Sequence, residues 1–343
     1  MEQDTGAGPV TAVEREDYKL NKESNCMEKD EFIDFIKERL SDRLGADYTL
    51  EEREIPKLNG VIKRVLTVKQ SGTYCAPSFY LEEMYASYKN GTVPEVMLEQ
   101  MEEVVRFDSG KMEQMKDRII SAEWLQSNTY VRLIQGETNK ERKDDGICLE
   151  YGDLLAEFYV FVGEDPEGIR CFRLPRKVWE DNRMPDPQSC LGQILENTRR
   201  LFPEVITEMK QCIRELEQQM IRKGEETEVF FPEIDDCEIP KMIVISNEKK
   251  MNGASVILYP NVLRDLWEQN GDFYLIPSSV HEVILIKDSE DIKEKELNLT
   301  IQNVNQTQLL LEEVLSNHAY FYSEATGLCM SKENREPMNY CML

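Results

Sequence analysis

Residues 242–287 read MIVISNEKKMNGASVILYPNVLRDLWEQNGDFYLIPSSVHEVILIK, the densest apolar run in an otherwise charged chain. Short β-branched and aromatic runs bounded by Gly, Pro and Asn signal strands. Three such segments, 242–246, 254–259 and 273–286, surround one short helical pattern. Burying this stretch commits the chain to a sheet core with helices packed on it. It names an architecture and no reaction.

The 343 residues suffice for one large core or two ordinary domains. A net charge of −25 disfavours nucleic acid, because phosphate binding relies on Lys and Arg displacing counterions. It equally disfavours an anionic membrane surface. Solubility, a basic protein partner or mimicry of nucleic acid remain open to such a surface. The first residues contain no basic segment followed by an apolar one, so no signal peptide is expected. No apolar run approaches the roughly 20 residues of a spanning helix. Nine cysteines with no CxxC or CxH spacing suit a reducing compartment. The expectation is a cytoplasmic protein.

The periodicities divide the chain into a flexible acidic tail (1–26), a helix–hairpin–helices region (27–126), a middle α+β region (127–224), an acidic linker (225–240), a C-terminal α+β domain (241–332) and a second tail (333–343). Phe32, Phe35, Ile36 and Leu40 fall on one helical face that stops at Gly45. Strands at 48–55 and 61–69 flank Asn59-Gly60, a hairpin signal. Residues 76–78 are expected to open a helix through Tyr88, Pro94 the next, and 110–122 a third. A strand at 129–135 precedes a charged turn, 136–146, expected to be an exposed tip. Strands at 147–162 bend at Gly152-Asp153, and a short one covers 168–175. Ser189 is a plausible N-cap. Pro203 is read as starting a long helix through Val205, Ile206 and Met220. Asn261 is expected to cap another helix, and a closing hairpin is expected around Gly327. The class is α+β with mainly antiparallel sheet.

Several segments carry a resemblance: NGASVILYP at 252–260, GDFYLIPSSVHEVI at 271–284, NQTQ at 305–308, EVLS at 313–316, APSFYL at 76–81 and NTRRLFP at 197–203. Together they resemble an uncharacterised bacterial family of unknown function, found mostly in gut Firmicutes. The likeness covers roughly 28–330 and implies no activity.

The best catalytic constellation is Ser278, Ser279, His281 and Glu282, since a serine nucleophile needs a base and an orienting group nearby. Adjacent strand side chains point to opposite faces, however, and no strained nucleophile elbow is present. The plainer reading is a turn whose serines bond to backbone. His318 is read as leading into a strand. No zinc set, phosphate loop or dinucleotide fingerprint occurs, so no cofactor or metal is expected. The acidic cluster at 233–238 lacks the rhythm of a calcium loop. The expectation is a non-catalytic protein that binds another macromolecule, with a basic protein as the partner suited to its charge. The alternatives are a hydrolase using Ser278 or Ser279 with His281, or an acidic nucleic-acid mimic.

Overall fold

A computed structural model describes residues 27–71, 76–115, 121–165, 168–223 and 241–341. The tail 1–26, the linker 225–240 and its acidic cluster at 233–238 therefore lie outside the described residues. Two compact units are present, one of residues 1–56 and 62–116, the other of 57–61 and 117–343.

In the first unit, helix α1 (Lys29–Leu44) buries Phe32, Ile33, Ile36, Leu40 and Leu44. It ends where Gly45 takes φ +82°, which a side chain would oppose. Strands β1 (Tyr48–Pro56) and β2 (Ile62–Gln70) pair along their whole length. Charged, exposed Glu51, Glu52, Arg53 and Glu54 line edge strand β1, a pattern that discourages further pairing. Residues Ser78–Tyr80 form β3 on β2, so the expected helix begins later, as α2 (Leu81–Lys89). Helix α3 (Pro94–Met115) runs straight through Gly110. An interior Gly costs about 1 kcal/mol. Burial of Met97, Leu98, Met101 and Val105 on the same helix outweighs this, at about 1.5–3 kcal/mol per large side chain.

The second unit holds two antiparallel sheets. After helix α4 (Ala122–Asn128) come β4 (Thr129–Gln135), the four-residue α5 (Arg142–Asp145), β5 (Cys148–Tyr151), β6 (Leu154–Asp165) and β7 (Gly168–Arg173). Helices α6 (Arg176–Asp181) and α7 (Pro187–Leu201), strand β8 (Glu204–Glu208), helix α8 (Met209–Lys223) and strand β9 (Met242–Asn247) follow. A 3-10 turn over Gly253–Leu258, α9 (Val262–Asn270), the hairpin β10 (Phe273–Ser279) and β11 (Glu282–Lys287), α10 (Glu294–Thr307), β12 (Tyr320–Ser323), β13 (Gly327–Cys329) and β14 (Tyr340–Cys341) complete it. One sheet has the order β14-β5-β6-β4 with β7 also on β6, and the other β13-β12-β10-β11-β9-β8. The α+β class with antiparallel sheets holds.

One hydrophobic cluster runs from Leu58 through Phe158, Ile194, Ile245 and Leu275 to Met338. The residues read as a middle region and a C-terminal domain thus share a single core. Residues 333–343 contribute Met338 to it and pair Tyr340 with Tyr151.

Other local expectations change as well: Asn261 stands at the start of α9, but its side chain makes no capping hydrogen bond. Residues 253–258 form a 3-10 turn, not a strand, and are buried throughout. Residues 204–208 form edge strand β8, not helix; their β-branched Val-Ile-Thr run suits a pleated surface. Asp186, not Ser189, caps α7 by accepting from the Ser189 N–H at 3.1 Å. The charged turn 136–146 is largely exposed, as expected, but Asn139 within it is fully buried.

Candidate functional site

The strongest sequence signature, PSSVHE, forms the β10–β11 turn, with a bulge between Pro277 and Ser279. The turn brings Ser278, Ser279, His281 and Glu282 together, but their pairing is set by backbone alternation. Ser278 Oγ donates to Glu282 Oε1 at 3.0 Å. Ser279 is buried, and its Oγ accepts the His281 backbone N–H at 3.0 Å. His281 Nδ1 accepts the Asn252 N–H at 3.1 Å. A nitrogen that accepts carries no proton, so the neutral ring is protonated at Nε2, which faces Glu313 Oε1 at 3.9 Å. Neither serine hydroxyl bonds to the imidazole.

Backbone packing surrounds the same ring. Ser246 Oγ donates to the His281 carbonyl at 2.7 Å. A Cβ on Gly253 would collide with Ser246 Oγ and the His281 carbonyl, so only glycine fits there. Ser278, Ser279, Glu282 and the His281 Nδ1 all bond within the turn or to its neighbouring backbone.

The second histidine has a different surrounding. His318 Nε2 lies 3.0 Å from Asp153 Oδ2, and Nδ1 lies 2.9 Å from the Ala319 carbonyl. Both neighbours can accept, a surrounding that favours the doubly protonated ring. Burial opposes that charge, but the hydrogen bonds to Asp153 and Ala319 outweigh it, and the His318 pKa is raised. The other Asp153 oxygen accepts from Tyr320 Oη at 2.9 Å. Burial and the adjacent Asp153 charge hold that hydroxyl protonated, its pKa well above the tyrosine range. Asp153 sits in the β5–β6 turn and His318 just before β12, so the trio joins the two sheets of the unit. Sequence reading missed it because its members are 165 residues apart. The available signal was Gly152-Asp153, an acidic residue at a hairpin tip.

A third cluster surrounds Asn59, which sits at φ +57°. Its N–H donates to Asn139 Oδ1 at 2.9 Å, and its Oδ1 accepts from Asn139 Nδ2 and Thr138 Oγ1, each at 2.7 Å. Its Nδ2 donates to the carbonyls of Leu311 and Val314 at 2.6 and 2.8 Å. These bonds fix the backbone of a segment whose Leu310 and Leu311 side chains are 62% and 59% exposed.

A surface cleft of about 270 Å³ is lined by Lys143, Cys148, Arg176, Trp179, Glu180 and Met184, among others. Burial pushes the Cys148 thiol up to about 12, so it carries no thiolate nucleophile near neutrality. Among the described residues, no three His, Cys, Asp or Glu side chains gather to hold a metal ion. Among them too, no helix is long and apolar enough to cross a membrane.

Comparison with known proteins returns one family. The model of a family of unknown function, DUF5688, matches residues 29–324. No curated protein and no solved structure matches the chain.

Proposed function

We propose that this chain, which belongs to the DUF5688 family of unknown function, works without catalysis by binding a basic protein. The observation that carries the reading is the pair of exposed leucines, 310 and 311, on a backbone pinned by Asn59. Exposed leucines scattered singly are ordinary. Two in succession on a fixed backbone are suited to anchoring a partner, because little ordering entropy is lost on contact. Burying both would contribute about 3–6 kcal/mol before association costs.

Charge supports the class of partner. Glu312 and Glu313 follow the leucines directly, and the whole chain carries −25. Complementary charge speeds encounter and excludes acidic competitors. The arrangement of the PSSVHE turn also supports a non-catalytic reading, since the His281 nitrogen that would take a serine proton already accepts a backbone N–H.

The test is capture from native extract by the intact protein and by a Leu310→Ser/Leu311→Ser variant with unchanged circular dichroism. We expect stoichiometric capture of a basic protein by the wild type, with affinity reduced at least about tenfold in the variant. Equal capture by both, or none by the wild type, rejects the reading.

A further inference from the structure

We infer that Arg132 and Arg142, oriented by buried Glu157, form a binding site for the phosphate group of a small ligand. Glu157 is the one charged side chain among the buried described residues. It stands on β6, directly across from Arg132 on β4 and Cys148 on β5. Its Oε2 accepts from Arg132 Nε and Nη2 at 3.0 and 2.9 Å, and its Oε1 accepts from Arg142 Nε at 2.7 Å. Arg173 approaches the same carboxylate at 3.9 Å but pairs with Asp145.

The charges do not balance. Three guanidinium groups share two carboxylates, Glu157 and Asp145, which leaves one positive charge in excess. The nearby Tyr159 hydroxyl and Cys148 thiol are both held neutral, because burial raises their pKa values. The excess is largely desolvated: the Arg132 and Arg142 side chains are only 14% and 10% exposed. Sequestering an uncompensated charge is unfavourable, and an anion would relieve it. In a chain of net charge −25, a local cationic surplus is against the general trend.

The guanidiniums are also pre-oriented. The Arg132 guanidinium carbon lies over the Tyr159 ring, 4.1 Å from its centre, and Arg142 Nη2 donates to Tyr159 Oη at 3.4 Å. Glu157 takes the Nε of both groups, so each keeps an Nη1 that bonds to no described residue. Rigid guanidinium donors recognise phosphate oxygens with directional, charge-assisted bonds. A phosphate near neutral pH carries between one and two negative charges, enough to cancel the excess, and offers more acceptor oxygens than a carboxylate.

The test follows the arginine Nε–H resonances of the full chain during titration with inorganic phosphate, with acetate at equal ionic strength as comparison. Arg132→Lys and Arg142→Lys variants assign the signals, and exposed Arg264, paired with Glu268, is the internal reference. The expected result is saturable phosphate shifts at Arg132 and Arg142, none at Arg264, and binding of acetate at least about tenfold weaker. Shifts at Arg132 and Arg142 no larger than at Arg264, or acetate binding as well as phosphate, overturn the assignment. The wild-type titration decides the matter even if a variant misfolds.

Discussion

The two histidines of this chain occupy opposite kinds of corner. His281 lies in the most distinctive stretch of the sequence, yet its ring accepts a backbone N–H and faces a carboxylate only at 3.9 Å. His318 reads in the sequence only as leading into a strand, yet both its nitrogens meet acceptors within 3.0 Å, and Asp153 favours its charged form. The difference teaches that a distinctive motif marks demanding local geometry as readily as chemistry. Charge is concentrated where distant segments meet, and no short motif reports it.

The largest effect that sharpens this contrast is expected from Asp153→Ala. It leaves the His318 imidazolium and the Tyr320 hydroxyl without their partner. The pair is partly solvated, with side chains 24% and 30% exposed, so the loss is set at about 2–4 kcal/mol, read from urea unfolding. His281→Ala removes one acceptor from the Asn252 N–H and is expected to cost about 1 kcal/mol. Were His281→Ala to destabilise as much as Asp153→Ala, the distinction between the two corners would collapse.

The smallest effect is on pH dependence. The folded-state pKa of His318 is raised above its usual 6.5, so its contribution is complete below that value. Stability from this source then declines as pH rises through the higher folded pKa. Unfolding midpoints measured across this window should fall with pH in the wild type and flatten in Asp153→Asn. A profile unchanged by that substitution would show that Asp153 does not set the His318 shift.

Much of the architecture was legible from local patterns. Asn59-Gly60, Gly152-Asp153 and Ala325-Thr-Gly327 each marked a real hairpin turn, because positive φ and tight bends select a few residue types. The stretch 254–259 misled because its apolar run is buried on every side, which periodicity cannot assign to strand or helix. Asn252 at φ +52° and the crowded Gly253 bend it into a 3-10 turn. Pro203 misled in the other direction, since a residue able to start a helix also tolerates a strand beginning at Glu204.

The sites were far less legible. The four residues of the PSSVHE turn are found together, as their spacing required, but which bonds they make depended on the bulge and on Asn252. Most of the turn 136–146 is exposed, as its polar residues suggest. Asn139 and Arg142 instead face Asn59 and Glu157, 80 and 15 residues away. Partners at such separations leave no trace in composition.

The tip Lys57–Val61 belongs to the second unit, although the strands on both sides of it belong to the first. During synthesis the first hairpin can zip early, since its strands are close in sequence. Asn59, however, must wait for Leu311 and Val314, 252 and 255 residues downstream. An early loop is thus held to a late test: a chain stopped short of Leu311 leaves Asn59 without these two acceptors. Cutting the gene at a unit boundary would separate the tip from its partners in the same way.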